Sequence, residues 1–272
     1  MASGPNTWTK LSRSAQHSVV IPMVVGLCTL GLPFLSVADE IEAELRETGR
    51  LLAILLDSGR VAIARNQTLL NDPSRGDKGF TPEVFAAQAM AVFKERTSHD
   101  LADLAHANVP GMAKPLLEQL LAESKRTVAS YQPGINMQGI VYKGFIPATF
   151  GTETGTRFQK WSGVYLKQTA PEHLVRNSKN KPDPFEVAQM ARLSDPAYSH
   201  NGEAIVSETV DDGKSVRVLL PLFYEKACLS CHGQPKGERD ISGYPREGGK
   251  EGDLGGAISV KLERSRVGSP PF

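Results

Sequence analysis

Two thiols three positions apart, followed at once by an imidazole, constrain this chain more than any other feature: Cys228-Leu229-Ser230-Cys231-His232. Cysteines at this C-x-x-C-H spacing can each form a thioether to one of the two vinyl groups on a single porphyrin edge. The adjoining histidine is then placed under the ring, where it can ligate iron from the proximal side. The run reads as the attachment site of one c-type haem, with Cys228 and Cys231 as covalent anchors and His232 as proximal iron ligand. Two other chemistries compete for the same residues. Tetrahedral zinc needs four ligands, and there is no second C-x-x-C or H-x-x-x-H to complete a set. A thioredoxin-type dithiol follows an early strand and opens a helix, whereas this pair lies late and runs into Gly233-Gln234-Pro235.

Thioether attachment in bacteria takes place outside the cytoplasm, so the haem reading demands an exported chain. Lys10 and Arg13 supply a positive n-region, Ser18 to Leu35 an apolar stretch, and Ser36-Val37-Ala38 the small residues read before cleavage at Asp39. Residues 1–38 are therefore expected to be a signal peptide, and the mature protein periplasmic. The competing reading is an uncleaved membrane anchor, since the apolar run approaches the roughly 20 residues that span a bilayer; Pro22, Pro33 and the small-residue site argue against it. Cys28 is a poor lipoprotein anchor, because Leu27 stands where a small residue is required.

Cleavage leaves 234 residues, enough to fold as one large domain or two small ones and to enclose a cofactor. It removes two basic residues and no acidic one, taking the formal charge from +1 to −1, so neither a polyanion nor a nucleic-acid partner is implied. Cys228 and Cys231 are then the remaining cysteines. Haem attachment would take the place of a structural disulfide.

From Glu40 to about Asn66 the apolar positions Ile41, Leu45, Leu52, Leu55, Leu56 and Ala62 recur at helical spacing. Thr81-Pro82-Glu83 starts a second helix with a capping hydroxyl and a first-turn proline, Val84, Phe85, Ala89, Val92 and Phe93 facing inward. A third runs from Lys114-Pro115 to about Tyr131 through Leu117, Leu120, Leu121 and Val128, ended by Pro133-Gly134. Beyond this point β-branched and aromatic runs replace the helical period, and the second half reads as sheet. Ile140-Val141-Tyr142 and Gly163 to Leu166 are candidate strands. Ala204 to Val210 and Ser215 to Phe223 flank Asp211-Asp212-Gly213-Lys214, an antiparallel hairpin whose second strand runs into Cys228. Gly255 to Leu262 supplies a closing strand. The glycine-dense stretch between Gly233 and Gly256 suits a backbone that wraps closely around a flat ligand.

Several of these stretches together resemble a known family: exported or membrane-bound proteins with a PAS-like c-type haem domain, some of them the sensor ends of histidine kinases. They are Leu70-Asn71-Asp72-Pro73 with Gly79-Phe80-Thr81-Pro82-Glu83, Lys143-Gly144-Phe145-Ile146-Pro147-Ala148, and Arg176-Asn177 with Pro182-Asp183. The clearest are Cys228 to Gly233 and Gly252-Asp253-Leu254-Gly255-Gly256-Ala257-Ile258-Ser259-Val260. The resemblance covers about residues 45–262. It implies an α+β fold in which long N-terminal helices lead into a PAS-like antiparallel sheet carrying one covalently attached haem c. The expected division is a helical region over 39–135, a haem domain over 136–264 and a tail over 265–272. The resemblance implies redox or small-ligand sensing, or electron transfer, and no established catalytic reaction. The chain stops at Phe272 without a coiled linker, kinase or second membrane helix, so a sensor of this kind would pass its output to a separate redox or signalling protein.

The sixth iron ligand decides between these roles. A strong protein ligand favours electron transfer, and a weak or absent one favours binding a diatomic gas. His99, His106, His173, His200, Met112 and Met137 are candidates, and the sequence does not choose among them. Phe145, Phe150, Trp161, Tyr165, Phe223 and Tyr224 could pack on porphyrin, with Phe223 and Tyr224 best placed beside Cys228. Arg176 or Lys226 could pair with haem propionates. Three functions are compatible with the sequence: a periplasmic monohaem sensor of redox state or of NO, CO or O2; a soluble periplasmic electron carrier; and a peroxidase-like enzyme, for which no distal motif is recognisable.

Overall fold

A computed structural model describes Met1 and residues 36–195 and 204–266. The chain divides after Phe34, and every helix and strand named here belongs to the unit from Leu35 onward. Helix α1 (Val37–Arg65) opens with a capping box, in which Ser36 and Asp39 satisfy each other's backbone N–H. The Ser36-Val37-Ala38 run thus caps and begins α1, while the apolar segment, Lys10, Arg13 and Cys28 lie outside the described residues. At 29 residues α1 is about 43 Å long. Leu51 to Gly59 are buried on every side of it, because α1 is the central element, packed against α3, α4, α5 and the sheet.

Helix α2 (Gln67–Asn71) is short. Helix α3 (Pro82–Thr97) starts as the sequence indicates, with the Thr81 hydroxyl accepting from Val84 N–H. Phe85, Ala89, Val92 and Phe93 are buried, but Val84, expected to face inward, is 41% exposed. It lies off the stripe that the other four define at i, i+4, i+7 and i+8. Helix α4 (Ala113–Ile135) runs through Pro133-Gly134 instead of ending there. A proline in the last turn forfeits little, and buried Ile135 holds that turn against the core.

Two helices lie where the sequence reads as sheet. Helix α5 (Pro147–Ser162) carries Phe150 and Trp161, and α6 (Pro184–Leu193) starts at a second capping box, Asp183 with Glu186. Residues 140–142 are a connection between α4 and α5, not a strand. Ile140 and Val141 are 43% and 54% exposed, and no described strand pairs with them.

The strands β1 (Tyr165–Thr169), β2 (Val206–Val210), β3 (Ser215–Phe223) and β4 (Leu254–Glu263) form one antiparallel sheet in the order β1-β4-β3-β2. The fold is α+β, with helices leading into an antiparallel sheet. The expected β2–β3 hairpin is present, its turn placing Asp211, Asp212 and Gly213 at φ 56°, 54° and 83°. Side chains alternate between two covered faces. Val216, Val218 and Leu220 of β3, with Ile258, Val260 and Leu262 of β4, join the helical core around α1. Leu219 and Ala257 point the other way, against Met190 and Leu193 of α6. On that second face Arg217 bonds Asp183, Glu186 and Ser259, and fully buried Glu186 also accepts from Lys167 and Tyr165. This network pins α6 to the sheet. No helix among the described residues is long and apolar enough to cross a membrane.

Candidate functional site

The chain leaves the sheet at Phe223, after a register shift between Leu222 and Phe223. Tyr224 extends the pairing by one residue, donating to the Asp253 carbonyl at 2.8 Å and accepting from Gly252 N–H at 2.8 Å. A 3-10 turn over Lys226–Cys228 then leads into the single helical turn α7 (Leu229–His232). A spacing of three residues in helical backbone puts both thiols on one side of that turn. Cys228 and Cys231 are free and partly exposed, and burial pushes the Cys231 thiol up from its ordinary value.

His232 is held on two sides. Its ring stacks on Tyr224, centroids 4.9 Å apart at 20°. Its Nδ1 lies 2.9 Å from Oε2 of Glu247, while Nε2 has no hydrogen-bond partner among the described residues. The glycines beside Tyr224 are there for space. A side-chain carbon at Gly249 or Gly255 would lie 2.7 Å or 2.2 Å from the Tyr224 ring. Gly249 N–H also donates to the His232 carbonyl at 2.7 Å.

Glu247 is itself clamped. Arg176 reaches it through Nε at 3.0 Å and Nη2 at 2.9 Å, bonds Asp240 through Nη1 at 2.6 Å, and donates to the Cys231 carbonyl at 3.1 Å. Burial works against ionising Asp240, but Ser242 and Arg176 together outweigh it and hold its carboxyl low. Within the glycine-dense segment, Gly237 and Arg246, and Asp240 and Tyr244, pair across a small hairpin.

Beside this assembly lies a cavity of about 870 Å³, within the usual range for a ligand pocket. Tyr224 and Glu247 form part of its wall, which also includes apolar Phe223, Met190 and Leu193 and polar His173 and Lys236. Cys228, Cys231 and His232 are not themselves in the wall. The Tyr224 hydroxyl is buried and has no partner among the described residues.

The Tll0287-like family profile matches residues 38–262. This chain belongs to the Tll0287-like family. A structural likeness exists to the crystal structure of the cyanobacterial haem-protein Tll0287, with 18% identity, a TM-score of 0.38, and coverage of 56% of this chain and 93% of that one. No curated protein matches the sequence. The matched span of this Tll0287-like chain holds Cys228, Cys231, His232, Arg176 and Glu247 together.

The structure sorts the other candidates. Of the six possible sixth ligands, His173 lines the cavity, as an exposed residue. His99 follows the end of α3, His106 is exposed beside Asp103 at 2.5 Å, Met112 packs partly buried against the helical core, and Met137 is 50% exposed. None of these four lines it. His200 lies outside the described residues. Phe145 and Phe150 belong to the ring cluster with Phe85 and Tyr131, Trp161 sits against Phe158 on α5, and Tyr165 bonds Glu186. Phe223 and Tyr224 keep their place at the site. Arg176 does not present itself as a propionate partner, because its donors are spent on Glu247, Asp240 and the Cys231 carbonyl. Lys226 is exposed.

Glu247 does not stand out in the sequence. A glutamate in a polar, glycine-rich stretch carries no local signal. Its role comes from the 15-residue separation from His232 that the small hairpin closes. The residues fit a c-type haem: two free thiols on one face of a helical turn, an imidazole with one nitrogen engaged and the other available, an adjoining cavity, and a buried hydroxyl without an acceptor. Among the described residues there is no group of three or more His, Cys, Asp or Glu that could hold a metal ion by themselves, so a protein-only zinc site gains no support.

Proposed function

We propose that this Tll0287-like protein binds one haem c, covalently through Cys228 and Cys231 and with His232 as proximal iron ligand. The observation that carries the reading is the arrangement at His232: Nδ1 is tied to Glu247 at 2.9 Å, so Nε2 is the nitrogen left for iron, one residue beyond a pair of free thiols. The bound group would supply a one-electron couple and the capacity to bind a small ligand. The chain's own part is to fix the imidazole, through Glu247 and the Tyr224 ring, and to exclude water from one side with Tyr224, Phe223, Met190 and Leu193.

We read the protein as a periplasmic sensor of redox state or of a diatomic gas that signals to a separate protein, and not as an enzyme. Of the candidates for the sixth position, His99, His106, Met112 and Met137 do not line the cavity, which supports this reading over electron transfer. The deciding experiment is the absorption spectrum of the purified, haem-matured protein, oxidised and reduced, with and without CO. A c-type spectrum that shifts with CO is expected. A c-type spectrum indifferent to CO would transfer the protein to the electron carriers, and no haem retained after denaturation would end the covalent reading. Export is checked separately by sequencing the mature N-terminus, expected at Asp39.

A further inference from the structure

The Asp240, Arg176, Glu247 and His232 side chains form one unbroken chain of contacts that ends on the proximal imidazole. We propose that Glu247 is a positioning residue which tunes the iron couple by hydrogen-bonding the Nδ1–H of His232, and that Arg176 sets its place. This role rests on the proposed covalent haem with His232 as its ligand.

A carboxylate accepting from Nδ1–H fixes the tautomer that leaves Nε2 as ligand, and it fixes the ring plane. It also draws the imidazole toward imidazolate, which makes it a stronger donor to iron and favours the more highly charged ferric state. A backbone carbonyl in the same place would fix the tautomer with far less of this effect, because it carries no net charge.

The structure secures Glu247 for this task at two points. The Glu247 carboxylate is bound on its far side by the Arg176 fork at 2.9 and 3.0 Å, so Oε2 stays aimed at the imidazole. Two residues on, Gly249 N–H bonds the His232 carbonyl at 2.7 Å, so backbone and side chain of this stretch grip the same residue. Arg176 also donates to the Cys231 carbonyl at 3.1 Å. It thereby touches both the motif and the carboxylate that tunes it. Tyr244 lies over the Arg176 guanidinium at 5.2 Å and its hydroxyl donates to the Arg176 carbonyl, which orders the fork further.

The test compares the full, haem-matured wild type with Glu247→Gln and Glu247→Asp. Covalent haem per chain is read first from the denatured protein, and the midpoint potential by spectroelectrochemistry. Glu247→Gln keeps the shape and an acceptor but loses the charge. It is expected to carry the wild-type amount of haem and to shift the equilibrium about tenfold toward the reduced form, which is about 59 mV for one electron. Glu247→Asp keeps the charge on a shorter stem and is expected to shift it less. A Glu247→Gln protein with full haem and a redox equilibrium within threefold of wild type overturns the proposal. Nitrogen NMR of His232 in the haem-matured wild type gives a second reading that needs no variant: a slowly exchanging Nδ1 proton, shifted as for a bond to carboxylate, supports it, and a freely exchanging one overturns it. A wild type without covalent haem overturns the parent reading and this inference together, an outcome distinct from either of the others.

Discussion

The core around α1 and the stretch from Tyr224 to Leu254 are held by different physics. Around α1 the side chains are apolar and almost entirely buried: Leu51, Leu52, Ile54 and Leu56 are at 0% exposure, and so are Phe85, Phe93, Phe145, Phe150 and Phe158. Burial at about 25 cal/mol per Å² stabilises such a region without any ligand. From Tyr224 to Leu254, by contrast, only Tyr224, Gly233 and Asp240 are buried, and the stretch is organised by ion pairs to Arg176, backbone bonds and glycines. The two parts therefore draw their order from separate sources: the body rests on apolar burial, while the site has polar scaffolding that an attached cofactor would complete.

Removing both anchors puts the greatest load on this contrast. Cys228→Ala with Cys231→Ala is expected to abolish covalent haem entirely, read as haem retained on a denaturing gel, while the circular dichroism and cooperative unfolding of the α1 core persist. Loss of cooperative unfolding along with the haem would mean that the body depends on the site after all. The reciprocal change comes next. Phe150→Ala opens a hole between Phe85 and Phe145 and is expected to cost about 3–5 kcal/mol, measured by urea denaturation, with the haem absorption unaltered in the protein that stays folded. A spectrum that changes as much as the stability would show the two regions to be coupled.

The same contrast governs what can be read from the sequence. The helices α1, α3 and α4 announce themselves because an apolar stripe at a 3.6-residue period has one straightforward burial, and the β2–β3 hairpin does so because Asp-Asp-Gly tolerates positive φ. Cys228, Cys231 and His232 are legible because their chemistry depends on local spacing. Helix α5 is not, since Thr149-Phe150-Gly151-Thr152-Glu153-Thr154-Gly155-Thr156 is poor in helix formers. Tertiary contact overrides that propensity: Phe150 and Phe158 bury against the core, and Gly155 lets the Leu166 carbonyl of β1 lie 2.7 Å from where a side-chain carbon would stand. Residues 140–142 err the other way, β-branched and aromatic but without a partner strand among the described residues. The pairing of Arg176 with Glu247 is hidden for a third reason. They lie 71 residues apart in sequence and meet only because the fold brings them together.

A smaller effect probes the network that ties α6, one wall of the cavity, to the sheet. Burial would push the Asp183 carboxyl up, but Glu186 N–H and the Arg217 guanidinium outweigh it and hold Asp183 below the usual carboxylate range. A folded value below the unfolded one, about 3.9, contributes stability that is complete above the unfolded value and is lost as pH falls through the folded one. Asp183→Asn keeps a good helix cap and removes the charge. It is expected to cost about 1 kcal/mol at neutral pH, a difference that stays level down to about pH 5 and shrinks below about pH 4. A difference that persists unchanged at about pH 3 in urea unfolding would show that the carboxylate charge contributes nothing.

The smallest expected change lies in the turn that feeds the strand leading to Cys228. Asp212 sits at φ 54°, a conformation that L side chains adopt at a cost and glycine adopts freely. Asp212 is exposed, whereas the neighbouring Asp211 pairs with Lys261 at 2.7 Å and so is not the residue to change. Asp212→Gly relieves the strain but also widens the unfolded ensemble, so the two effects partly cancel. The net expectation is a stabilisation of less than about 1 kcal/mol in thermal unfolding, with the absorption spectrum and potential of the haem-matured protein unmoved. A shift in potential from so remote and conservative a change would mean that the hairpin transmits to His232, and the independence of scaffold and site would have to be given up at that end of the sheet.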